Sequence, residues 1–179
     1  MYKCYQDNIV AGNESFPLSW VIGENLIYLA MWVLAGYLLW PIWTPFGLPL
    51  LTILWTISVV IIQILLKKHN CSGCYYYDKL CHLGWGKISS AMFKQDSGNP
   101  KMGMNLSFFY ILSPPLIFLT SLIFAIIKSP TGAYWPILAL FIIFNVVSFP
   151  IRMKGCGLCA MREVCPGSAT KSKQTIRCT

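Results

Sequence analysis

The stretch that decides the fold runs from Gly47 to Leu66 and reads GLPLLTILWTISVVIIQILL. Its 20 residues carry no charge, and about 20 helical residues are needed to cross the apolar core of a bilayer. The β-branched run from Ile57 to Ile62 would favour a strand in water, but the uninterrupted apolar length favours a helix. A helix also satisfies its own backbone hydrogen bonds in lipid, so the stretch predicts a membrane span.

Three further stretches have the same character: Leu18 to Trp40, Ser107 to Ile127, and Ala133 to Ile151. Together the four predict an all-α integral membrane protein with four transmembrane helices in two helical hairpins. The predicted hairpins cover residues 18–66 and 107–151. A short polar N-terminus (1–17), a Cys-rich loop (67–106) and a Cys-rich C-terminal tail (152–179) complete the chain. Pro114 and Pro115 fall inside the third stretch, where they predict either a kink or the true start of the helix.

The composition supports a membrane location, because 56% of the residues are hydrophobic and only 11% are charged. A soluble domain usually carries about 25% charged residues. The net charge of +8 does not predict a nucleic-acid partner, because the basic residues flank the spans. The predicted partners are the lipid bilayer and other membrane or peripheral protein subunits.

The distribution of basic residues predicts the orientation. Four spans put the N-terminus, the loop and the tail on one side of the membrane. Of the 14 Lys and Arg residues, only Lys128 lies on the other side, which leaves 13 on the first. Short basic segments stay in the cytoplasm, so both termini are predicted to be cytoplasmic.

All eight cysteines lie on this predicted cytoplasmic side. The loop contains Cys71-Ser-Gly-Cys74 followed by Cys81, and the tail contains Cys156-Gly-Leu-Cys159 followed by Cys165. Stable disulfides are rare in a reducing compartment, and thiols at these spacings are typical of metal ligands. Each of these cysteine triplets directly follows a predicted span.

Each triplet lacks one ligand for a four-coordinate metal site. His82 could complete the first, and Cys178 or Cys4 the second; alternatively, six thiolates serve one shared site. The candidate metal ligands are therefore Cys71, Cys74, Cys81, His82, Cys156, Cys159, Cys165, Cys178 and Cys4. The candidate cofactors are one or two iron–sulfur clusters, or zinc.

The two halves of the chain follow a similar order. Pro49 opens the second stretch and Cys71 follows 22 residues later, while Pro136 opens the fourth and Cys156 follows 20 residues later. The pattern indicates a possible tandem repeat of one hairpin and one cysteine triplet.

The segment from Cys156 to Gly167 resembles the cluster loop of DNA glycosylases of the endonuclease-III type. In that family a Cys-x2-Cys-x5-Cys segment supplies three ligands of a [4Fe–4S] cluster. The family's first ligand would fall at Phe149 in this chain, so a fourth ligand would come from elsewhere. The resemblance implies an iron–sulfur site and no glycosylase activity.

These patterns favour an iron–sulfur electron-transfer subunit of a membrane complex; no catalytic constellation occurs, so enzyme activity is left open. One alternative is a structural or assembly subunit with zinc-stapled loops. With the opposite orientation the loops would be disulfide-bonded, which sequons at Asn13, Asn70 and Asn105 would suit. A third possibility is a soft-metal transporter or metal handler.

Few polar side chains lie within the predicted spans. Glu24, near the start of the first, is either a functional intramembrane carboxylate or a solvated acid at the helix N-terminus. Gln63, Asn145 and Ser148 lie toward the cytoplasmic ends, where we expect hydrogen bonds between helices rather than a pocket.

Overall fold

The computed structural model describes residues 1–6, 8–130 and 132–170, apart from the side chain of Cys4. Its helices are α1 (Lys3–Gln6), α2 (Leu18–Leu39), α3 (Leu50–Leu66), α4 (Trp85–Met92), α5 (Pro100–Lys128) and α6 (Tyr134–Gly157). Four of them, α2, α3 with its extension to Cys71, α5 and α6, are long and apolar enough to cross a membrane. The predicted all-α membrane fold with four spans is confirmed.

The helix boundaries bring the cysteines closer to the bundle than the hydropathy alone indicates. The last turn of α3 widens into a π-helical turn, Lys67–Cys71, so the first cysteine still belongs to a helix. The last helix, α6, runs on past Ile151 and carries Cys156. Each triplet therefore begins on the final turn of a membrane-spanning helix.

The third span begins at Pro100 rather than at Ser107. The Asn99 side chain accepts hydrogen bonds from the backbone N–H groups of Lys101 and Met102, at 3.0 and 3.4 Å. A proline in the first turn loses no intrahelical hydrogen bond, so Pro100 fits that place. The helix continues through Pro114 and Pro115 and does not start there.

Small and apolar side chains fill the interior of the four-helix bundle. The buried set includes Ala35, Leu38, Ala125, Leu138 and Phe141. The most extensive helix contacts join α2 to α6, with α3 lying against α5. The two-hairpin arrangement and the repeat stay predictions. The Tyr134 hydroxyl also donates to the carbonyl oxygen of Leu38 at 3.1 Å, which links α6 to α2 inside the bundle.

A second buried core lies outside the bundle, on the side of the cysteines. It packs Tyr5 and Phe16 of the N-terminal segment against Tyr76 of the loop and against Met161 and Val164 of the tail. Three backbone hydrogen bonds hold the segment in place. In each, an N–H group of the segment donates to a carbonyl oxygen of the tail or the loop: Val10 to Ala160, Asn13 to Leu158, and Phe16 to Leu80. The N-terminal segment thus fastens the loop and the tail together.

Candidate cysteine site

Both cysteine triplets face one cavity of about 100 Å³, which we call the thiol cavity. It lies where the extramembrane core meets the helix ends. Its cysteines are Cys71, Cys74 and Cys81 from the first triplet and Cys156, Cys159 and Cys165 from the second. His82 lines the same cavity. Cysteines up to 94 positions apart in the sequence, Cys71 and Cys165, therefore line one cavity.

Tyr76 joins the two cysteine segments. Its hydroxyl accepts a hydrogen bond from the backbone N–H of Ala160 at 3.0 Å and donates one to the carbonyl oxygen of Asn13. The side chain is only 1% exposed, and a buried tyrosine hydroxyl needs such partners to offset its desolvation. These bonds hold the loop against the tail beside Cys74 and Cys159.

The described thiols line the cavity without bonding to one another. All six described cysteines are free, and no three His, Cys, Asp or Glu side chains of the described residues form a group that could hold a metal ion. A zinc ion bonds sulfur at about 2.3 Å, which places tetrahedral thiolates roughly 3.8 Å apart. Among the described residues no such closed shell around one ion is formed.

Burial and crowding keep several of these thiols neutral. Burial, followed by the neighbouring thiol of Cys71, raises the pKa of Cys74 well above its ordinary value. Burial also raises the pKa of Cys159. For Cys165, burial together with Cys159 raises the pKa to about 12. Ionising several of them at once requires a compensating positive charge inside the cavity.

His82 is held between the cavity and the first span. Its Nδ1 lies 2.9 Å from Oε2 of Glu24, and its Nε2 lies 4.0 Å from Sγ of Cys156. Burial favours the neutral imidazole, but the bonds to Cys156 and Glu24 outweigh it and raise the pKa of His82 to about 10. Both ring nitrogens therefore face a partner, Glu24 on one side and Cys156 on the other, and the role of His82 as a metal ligand stays a prediction.

Glu24 is buried rather than solvated. Its side chain is 3% exposed, and its Oε2 also accepts a hydrogen bond from Nε1 of Trp20 at 3.1 Å. The structure thus gives Glu24 two partners within the protein, His82 and Trp20, in place of solvent.

Two arginines line the thiol cavity, although their positions in the sequence indicated only the orientation of the chain. Arg152 donates to the carbonyl oxygen of Gly167 at 2.7 Å, and Arg162 donates to that of Ala11 at 2.8 Å. Their guanidinium groups supply positive charge near the thiols. One feature of the sequence could have placed Arg152 near the thiols. It precedes Cys156 by four residues, which puts both side chains on one face of α6.

Two of the predicted ligands lie outside the described residues: Cys178, and the side chain of Cys4. Asn145 and Ser148 bond to carbonyl oxygens of their own helix, those of Phe141 and Asn145, rather than between helices. Comparison with protein-family models, curated proteins and solved structures finds no match for the chain.

Proposed function

We propose that the protein is a membrane-embedded redox subunit whose two cysteine triplets together hold one iron–sulfur cofactor. The observation that carries the proposal is that six thiols, three from each triplet, line a single cavity. Among the options left open by the sequence, this arrangement favours one shared site over two separate ones. The four apolar helices would keep that site at the membrane surface.

The size of the cavity favours a cluster over a single ion. A site for one water needs about 10–15 Å³, whereas the thiol cavity measures about 100 Å³. An iron–sulfur cluster distributes four thiolates over several iron atoms, so its ligands need not converge on one point. This fits six thiols that line a wall without forming a single-ion group.

The charged groups around the cavity fit an anionic cofactor. A cluster with four thiolates is negatively charged, and Arg152, Arg162 and the imidazolium of His82 lie along the same wall. His82 would act as a positioning residue for Cys156, with Glu24 holding its ring. Hydrogen bonds to ligand sulfurs tune the potential of such clusters.

The cofactor would exchange electrons with a soluble or peripheral electron-carrier protein on the cysteine side. We place this side in the cytoplasm, because 13 of the 14 Lys and Arg residues lie there. The thiol cavity is close to the helix ends, so electrons entering from that side would reach the membrane domain directly.

Anaerobic purification of the full chain in detergent tests the proposal. We expect a brown protein that contains iron and acid-labile sulfide in equal amounts and whose visible absorption bleaches with dithionite. A colourless protein with stoichiometric zinc would overturn the proposal and support zinc-stapled loops. Binding of copper(I) with no sulfide would support a soft-metal handler instead.

A further inference from the structure

A second cavity, of about 240 Å³, lies inside the helical bundle directly beneath the thiol cavity. We call it the membrane cavity. All four spans contribute to its lining, including Trp32 of α2, Trp55 of α3, Ile117 of α5 and Phe141 of α6. Four residues line both cavities and form a shared wall: Tyr28, Tyr110, Ile111 and Arg152. Whatever occupies the membrane cavity therefore lies next to the thiols.

Several polar groups of the membrane cavity lie at its thiol end. Arg152 and the tyrosines of the shared wall can donate hydrogen bonds there, and Tyr28 lies beside Arg152. Trp55 carries an unsatisfied donor: its indole N–H is buried and has no partner among the described residues. A buried donor without a partner carries a desolvation cost that a ligand's acceptor oxygen would remove.

The membrane cavity meets a groove that faces lipid, which we call the lateral groove. This groove, of about 270 Å³, lies between α5 and α6. Both cavities are lined by Pro114, Pro115, Phe141 and Asn145. The outer wall of the groove includes Val146, which is 65% exposed on the lipid-facing surface. A lipid-soluble molecule could therefore reach the membrane cavity sideways, without crossing water.

The lining also indicates the chemical class of the occupant. Aromatic side chains suit a flat ring, and an apolar cavity of about 150 Å³ already holds benzene. Arg152 is the sole charged side chain among the described residues that line the membrane cavity or the lateral groove. One cation with several neutral donors suits an uncharged ring with carbonyl oxygens better than a phosphate group, which usually binds several cations.

We propose that the membrane cavity binds a lipid-soluble quinone, with its ring oxygens toward Arg152 and its tail in the lateral groove. As a redox reaction this rests on the proposed function, because the thiol-bound iron–sulfur cofactor supplies the electrons. Each quinone would take up two electrons, delivered one at a time, and two protons from water on the cysteine side, giving one quinol. The soluble electron-carrier protein of the proposed function would re-reduce that cofactor after each transfer.

Quenching of tryptophan fluorescence measures the binding, because Trp32 and Trp55 line the cavity. Titrating the full chain in detergent with a short-chain ubiquinone, and separately with a short-chain menaquinone, should give saturable quenching with at least one of them. Tyr28→Phe should weaken quinone binding about fivefold, which is the change in affinity expected from the loss of one hydrogen bond. The matched control is Tyr37→Phe on the same helix, where Tyr37 is 47% exposed; it should leave binding unchanged.

Blocking the lateral groove provides a second measurement. Val146→Trp should weaken quinone binding or slow it about tenfold, whereas Val147→Trp, at the adjacent exposed position, should not. Equal effects of the two tryptophans would overturn the proposed route. Linear, non-saturable quenching by both quinones would overturn the site, and saturable quenching by an anionic phospholipid alone would assign it to a lipid headgroup.

The same titration separates this inference from the proposed function. A Cys74→Ser protein that lacks iron should still bind quinone, because the membrane cavity does not include Cys74. If the wild-type protein contains no iron but still shows saturable quinone binding, the iron–sulfur proposal is overturned and the quinone site is kept. Iron-containing protein that binds neither quinone would overturn the quinone site and keep the iron–sulfur proposal.

Discussion

The imidazole of His82 lies 2.9 Å from the carboxylate of Glu24, although 58 residues separate them in the sequence. This contact ties the cysteine loop to the first membrane span. Both side chains are largely buried, at 12% and 3% exposure. The other ring nitrogen faces Sγ of Cys156, so the contact also fixes the position of a candidate ligand.

Glu24→Ala should destabilise the protein by about 3–5 kcal/mol, because it leaves a buried imidazolium without its partner. Thermal unfolding in detergent measures the loss. Glu24→Gln keeps an acceptor and should cost less. The control is Glu14→Ala at an exposed position of the N-terminal segment, which should have little effect. Similar losses for Glu24→Ala and Glu14→Ala would show that the contact contributes nothing.

Serine substitutions identify the ligands among the six cysteines of the thiol cavity. Cys74→Ser and Cys159→Ser should each lower the iron content, because one residue comes from each triplet and the proposed site draws on both. Cys4→Ser and Cys178→Ser should retain iron, since the cavity already offers six thiols where a cluster uses four. Iron and acid-labile sulfide are measured on each purified variant. Loss of iron in the Cys178→Ser protein would add Cys178 to the ligand set.

Tyr76→Phe should loosen the contact between loop and tail. Removing the hydroxyl takes away the donor to the Asn13 carbonyl oxygen and the acceptor for the buried N–H of Ala160. A buried group left unsatisfied costs about 1–3 kcal/mol. Tyr75→Phe is the matched control. The ring of Tyr75 packs against Tyr76 and lies beneath Lys79, but its hydroxyl makes no hydrogen bond within the described residues. Unfolding midpoints that do not differ between the two variants would contradict the assigned role.

Gly86→Ala tests the packing of the cysteine loop. A Cβ at this position would clash with the backbone carbonyl oxygens of Tyr76 and Lys79, which cannot shift as a flexible side chain does. Such overpacking costs about 1–3 kcal/mol. Gly23→Ala on α2 is the control, since an added Cβ meets nothing within 4 Å there. Both variants are compared by thermal unfolding, and an unchanged Gly86→Ala protein would show that the loop can relax.

A reporter fused after Thr179 tests the orientation of the chain in a bacterial inner membrane. Green fluorescent protein should fluoresce there, because the positive-inside rule predicts a cytoplasmic location for the basic C-terminal tail. Alkaline phosphatase at the same position should be inactive. The opposite pair of results would place the cysteines outside and revive the disulfide alternative.

The sequence by itself determined the membrane class, the four spans and the residue types of the candidate site. Each follows from information local in the chain: twenty apolar residues require a helix in lipid wherever they occur. The spacing within each triplet is equally local. The sequence could not show whether the triplets form two sites or one, because that depends on which helices are neighbours.

Only the tertiary structure brought Cys71 and Cys165 to one cavity and paired Glu24 with His82. These contacts join residues far apart in the chain. They depend on the packing of α2 against α6 and on the hydrogen bonds of the N-terminal segment to the loop and the tail. The membrane cavity arises in the same way, from four helices that each look uniformly apolar. Hydropathy reports how a residue partitions into lipid, whereas a cavity depends on how the helices fit together.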